Sequence, residues 1–73
     1  MSISNWLTNG KVSFAVVQVN SRDILVCTSN VGAHRVIFVE DALTGKRVFG
    51  PASQHHPSGE DIDKLVLELV KEL

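Results

Sequence analysis

Cys27, His34 and the adjacent pair His55-His56 are the residues of this chain best suited to act as nucleophile, general base or soft metal ligand. A cysteine nucleophile needs a base within hydrogen-bond reach and a third group to orient that base. Cys27 and His34 meet the first condition only if their side chains share one face of neighbouring strands, and no third group is in view for His34. Zinc sites use paired ligands at fixed short spacing, which two consecutive histidines do not supply. A metal would therefore need long-range help from Cys27 or His34. The carboxylates Glu40-Asp41 stand at a hairpin and read as turn chemistry. Gly45-Lys46 lacks the glycine spacing of a phosphate loop, because Glu40 stands where the first glycine belongs. No catalytic, cofactor-binding or metal-ligating residue is assigned on these grounds, no cofactor is expected, and a small enzyme or metal-binding protein is the third-ranked reading.

The elements that would have to position any such chemistry are strands and one helix. Lys11 to Val19 alternates with a period of two, as does Ala33 to Glu40, and Ile24 to Thr28 is rich in branched residues. Asn20-Ser21-Arg22-Asp23 and Ser29-Asn30-Val31-Gly32 are turns. In Asp41-Ala42-Leu43-Thr44-Gly45, Asp41 can satisfy turn amides and Gly45 can take positive φ. Lys46 to Phe49 is a short fourth strand. Connections this short make neighbouring strands antiparallel, which gives a β-meander.

Behind a loop over 50–57, a helix begins at Ser58, with Ser58-Gly59-Glu60-Asp61 as a variant capping box. Its apolar stripe is Ile62, Leu65, Val66, Leu69, Val70 and Leu73, and Lys64, Glu68, Lys71 and Glu72 form the solvated side. The expectation is an α+β domain, a four-stranded antiparallel meander over 11–49 with the C-terminal helix of 58–73 packed on one face. Residues 1–10 form an N-terminal arm that carries one helical turn or folds over the sheet.

In this reading Val12, Phe14, Val16, Val36 and Phe38 meet the helix. The second strand adds either Ile24 and Val26 or Leu25 and Cys27, since alternation does not rank the two sets. Ala15, Val17, Val19, Ile37 and Val39, interrupted by Ser13 and Arg35, would then lie outside. A one-sided antiparallel sheet normally shows polar residues there, and an apolar patch in that place marks an interaction surface. Trp6 with Ala15, Val17, Val19, Arg35, Ile37 and Val39 is the expected surface, filled by a second copy of the chain.

The 73 residues allow one small domain whose core narrowly outweighs chain entropy, and a single cysteine excludes an internal disulfide. Met1 to Trp6 has no basic region followed by an apolar run, so no signal peptide is expected. No stretch is long enough to cross a bilayer, and a soluble, cytoplasmic setting is expected. The net charge of −1 divides unevenly: residues 1–58 carry five Lys and Arg against three Asp and Glu, and residues 59–73 two against five. A polyanion would thus be oriented towards the sheet.

Four strands followed by one helix is similar in layout to the Whirly and PUR-repeat folds. That resemblance implies single-stranded nucleic-acid binding, in which basic residues track phosphate and aromatic rings stack on bases. Here the contacts would be Lys11, Arg35, Lys46 and Arg47 with Trp6 or Phe49. The leading expectation remains a non-enzymatic protein-interaction module, a regulator, inhibitor or accessory protein, homodimeric and with a further unidentified protein partner. Weak nucleic-acid binding is the alternative.

Overall fold

The computed structural model describes residues 3–31, 34–54 and 59–73. The expected cap Ser58 and the histidines His55 and His56 lie outside them. Five strands and a helix follow in chain order: β1 (Leu7–Asn9), β2 (Val12–Val19), β3 (Arg22–Ser29), β4 (Arg35–Asp41), β5 (Arg47–Phe49) and α1 (Gly59–Val70). The strands form one antiparallel sheet in sequential order, so the meander with a C-terminal helix is the architecture.

The arm holds a strand rather than a helical turn. β1 pairs with β2 through Leu7↔Phe14, Thr8↔Ser13 and Asn9↔Val12. The two-residue turn between them has Gly10 at φ 64°, the position of a type II′ hairpin that requires glycine. Asn20 (φ 52°) and Ser21 (φ 64°) build a type I′ turn between β2 and β3. A primed two-residue turn matches the twist of its strands, so β3 starts at Arg22, two residues before the branched run. In the β4–β5 hairpin the Asp41 carboxylate accepts from the amides of Leu43 (2.9 Å) and Thr44 (3.2 Å), and Gly45 adopts φ 74°. Both roles were legible from residue type.

The helix docks through Ile62, Val66, Leu69 and Val70, which are buried, with Leu65 and Leu73 packed beside them. Both helix ends are tied to the sheet portion. The Ile3 amide donates to Asp63 Oδ1 at 3.3 Å, and Arg22 Nη2 donates to the Val70 carbonyl at 3.4 Å. Arg22 also faces the buried Asp41 carboxylate at 3.6 Å, so one guanidinium joins hairpin, β3 and helix C-terminus.

The sheet turns the opposite face to the helix from the one expected. Against α1 lie Ile24, Val26, Val36 and Val39, all fully buried, with Val17, Val19 and Val48 around them and Ala15 buried in the same row. Ala15, Val17, Val19 and Val39 therefore belong to the core and are not an outer surface. Trp6 and Ile3 pack at the edge of that core, so Trp6 covers no part of the other face. Two physical reasons explain the exchange. Small and β-branched side chains let a helix approach a sheet closely, whereas two phenylalanines would hold it off. In addition, β4 carries a bulge: Cys27 pairs with Phe38 and Thr28 with Val36, leaving Ile37 as the extra, half-buried residue. The bulge sends Val36 to the helix side and Phe38 to the other, a split that simple alternation does not allow.

Candidate interaction surface

With the helix on one face, the ladder registers fix the composition of the other. Leu7↔Phe14, Phe14↔Cys27, Cys27↔Phe38 and Phe38↔Phe49 are successive cross-strand neighbours. An unbroken apolar row therefore crosses all five strands at right angles to them. One flanking row reads Val12, Ser29 and Arg35 on β2, β3 and β4. The other reads Val16, Leu25, Glu40 and Arg47 on β2 to β5. Leu7 (75 %), Val16 (64 %) and Phe49 (65 %) are largely exposed, a concentration of apolar surface that a solvated sheet face does not normally carry. Phe14, Leu25 and Phe38 are half-buried between them.

The polar groups on this face are held in place. Arg47 donates from Nε and Nη2 to the same Glu40 oxygen, Oε1, at 2.9 and 2.8 Å. Its guanidinium carbon lies 4.0 Å from the centre of the Phe38 ring and 5.9 Å from that of Phe49. The two rings meet edge to face, 6.1 Å apart at 66°. An arginine stacked on an aromatic face and neutralised by a carboxylate suits an interface that excludes water.

Cys27 sits in the middle of the row yet is only 3 % exposed. Burial pushes its thiol above the ordinary cysteine range, with Arg47 pulling weakly the other way. A thiol held protonated is a poor nucleophile. His34 does not assist it, because Cys27 pairs with Phe38 while His34 lies beyond Arg35, the partner of Ser29. Among the described residues no group of three or more His, Cys, Asp and Glu side chains gathers to hold a metal. A shallow concavity of about 300 Å³ is lined by Ser21, Arg22, Asp23, Asp41, Ala42 and Leu43. Of its two carboxylates, Asp41 is engaged by two turn amides and Arg22, so that Asp41 and Arg22 hold the fold together.

Of the basic residues named for nucleic acid, Arg47 and Phe49 are brought together, and Arg35 lies on the same face one row beyond the aromatics. Lys11 is in the β1–β2 turn at one end of the sheet and Lys46 in the hairpin at the other, so the four cations form no continuous track. Val12, Phe14, Val16 and Phe38 are the open-face residues that sequence reasoning assigned to the core instead, and of the two sets left open on the second strand it is Ile24 and Val26 that meet the helix. The signal that could have placed the open-face set outside is parity: Gln18 shares a face with Phe14, Asp23 with Leu25, and Glu40 with Phe38. The helix-side set Ala15, Val17, Val19, Ile24 and Val26 is apolar, and the polar members of that face on these two strands, Ser13, Arg22 and Thr28, stand at the strand ends. Searches against protein-family models, curated proteins and solved structures find no match to this chain.

Proposed function

We propose that this chain is a non-enzymatic protein-interaction module that self-associates through the open face of its sheet. The observation that carries the reading is the continuous row Leu7–Phe14–Cys27–Phe38–Phe49 on the face turned away from the helix. A chain of 73 residues gains most by covering such a row, because its own core is small. Two copies facing one another through the same patch close it with a single isologous contact. Regulator, inhibitor or accessory roles fit a surface built for contact, with a further protein bound at what the dimer leaves free. β1 spans only the first three residues of β2, and no strand among the described residues pairs along the remainder of that edge. Light scattering over a concentration series tests the reading. A mass that moves from one chain to two with rising concentration supports it, and a mass of one chain throughout contradicts it.

A second reading rests on Phe49 and Arg47. An exposed ring beside a guanidinium is a base-stacking pair, and single-stranded nucleic acid would use it. It ranks lower because Glu40 neutralises Arg47 and because Lys11 and Lys46 stand at opposite ends of the sheet. Phosphate contacts make affinity fall steeply with salt, so oligonucleotide binding that weakens steeply as salt rises from 50 to 200 mM, or about that range, would favour this reading. No binding at the lower salt removes it.

A further inference from the structure

We infer that the second copy docks about a twofold axis lying along the Leu7–Phe14–Cys27–Phe38–Phe49 row, so that Arg35 of each protomer meets Glu40 of its partner. The inference rests on the self-association proposed above and adds its register. The row is crossed by the strands at right angles, with Val12, Ser29 and Arg35 on one side and Val16, Leu25 and Glu40 on the other, each set in the order β2, β3, β4. Rotation about the row exchanges the two sides. Each aromatic then meets its own counterpart, Val12 faces Val16, Ser29 faces Leu25, and Arg35 faces Glu40. The twofold makes the charge contact twice.

Both groups are open to it. Arg35 is exposed, and its side chain makes no hydrogen bond or ion pair to any described residue. Arg47 occupies only Oε1 of Glu40, and Oε2 has no partner among the described residues. Sheets packed face to face stand about 10 Å apart, a gap that an arginine and a glutamate reaching from opposite sides can bridge.

The competing arrangement has its axis parallel to the strands, through Cys27. It would set Arg35 against Val12 and Glu40 against Val16. Arg35 would then be buried against a branched apolar side chain with no counter-charge, which is heavily penalised, while Glu40 would keep only Arg47 of its own chain. Charge therefore selects between two arrangements that bury the same apolar row.

Two complementary charge reversals test the register. Arg35→Glu alone places like charges together twice in its homodimer, and so does Glu40→Lys alone. In a mixed dimer of the two variants the substituted side chains face each other and the native ones face each other, so every contact is again between opposite charges. The expected result is a dimer Kd raised tenfold or more for each variant alone, and an equimolar mixture that dimerises within about threefold of wild type. Circular dichroism checks that each chain is folded. Should Glu40→Lys not fold, since it also removes the partner of Arg47, Arg35→Lys and Arg35→Glu replace the pair: the first is to retain dimerisation and the second to lose it. A wild-type dimer with unchanged Kd in both variants and no gain on mixing overturns the register and leaves self-association standing. A monomeric wild type overturns both, and salt-sensitive oligonucleotide binding by that monomer would put nucleic acid on the face instead.

Discussion

Ser21 holds φ 64° in the β2–β3 turn, a conformation that costs an L-residue with a Cβ about 1 kcal/mol. Its neighbour Asn20 tolerates the same region through its short polar side chain, and the Asn-Gly pair is the favoured form of this turn. Ser21→Gly is therefore expected to raise stability by about 1 kcal/mol, read as a higher urea midpoint at unchanged slope. Cys27 provides a pH dependence. Its thiol titrates higher folded than unfolded, so the folded state holds the proton more tightly. That contribution is complete below the ordinary cysteine range and is lost as pH rises through it, because the unfolded chain ionises first. Between about pH 8 and 10 wild type is expected to lose stability that a Cys27→Ala variant, weaker at neutral pH, does not lose. Parallel pH slopes for the two proteins would contradict this account of the thiol.

At the scale of elements, β4 shows how a strand edge is closed without another strand. The Gln54 side chain behaves as a strand residue would: its Oε1 accepts from the Val36 amide at 2.9 Å and its Nε2 donates to the Val36 carbonyl at 2.7 Å. Beside it Gly50 donates its amide to Ile37 at 2.8 Å, so close that a Cβ on Gly50 would fall on the Val36 carbonyl oxygen. Gly50→Ala is expected to cost about 2 kcal/mol through displacement of that backbone. Gln54→Ala is expected to leave the core intact while exposing the Val36 amide to hydrogen exchange at least tenfold faster. Unchanged protection at Val36 would mean the edge is closed by something else.

These elements also mark what could be read in advance. The helix stripe from Ile62 to Leu73, the Asp41–Gly45 hairpin and the sequential meander follow from period, turn chemistry and short connections, all of them local. β1 escaped notice because Leu7-Thr8-Asn9 is three residues long and has no alternation to display. The choice of face was legible only in part. β2 is largely apolar on both sides, so the decision lay in the few polar members at the strand ends, Gln18, Asp23 and Glu40 on the open face against Ser13, Arg22 and Thr28 on the helix side. The bulge at Ile37, a tertiary feature with no sequence mark, then broke the parity of β4 where it mattered. The candidate surface inherited that inversion, which is why Arg35 is the one residue named for it in advance that the ladder pairs onto the corrected face, Ile37 being the unpaired bulge residue.

At the scale of the whole molecule, a helix covers one side of the sheet and leaves an apolar row across the other. No helix among the described residues is long and apolar enough to cross a membrane. Five strands about 4.8 Å apart and some six residues deep present a footprint of roughly 500 Å², below the standard interface of about 800 Å² per partner. The dimer is accordingly expected to be of micromolar rather than nanomolar strength. Leu67 offers a contrast within the same chain, being the large apolar residue on the exposed side of the helix. The most direct test of the central claim compares the solution mass of Val16→Asp with that of Leu67→Lys, each measured by light scattering at a concentration where wild type is dimeric. The account predicts a monomer for Val16→Asp and a dimer for Leu67→Lys. The reverse pattern would place the contact on the helix and contradict the assignment of the open sheet face.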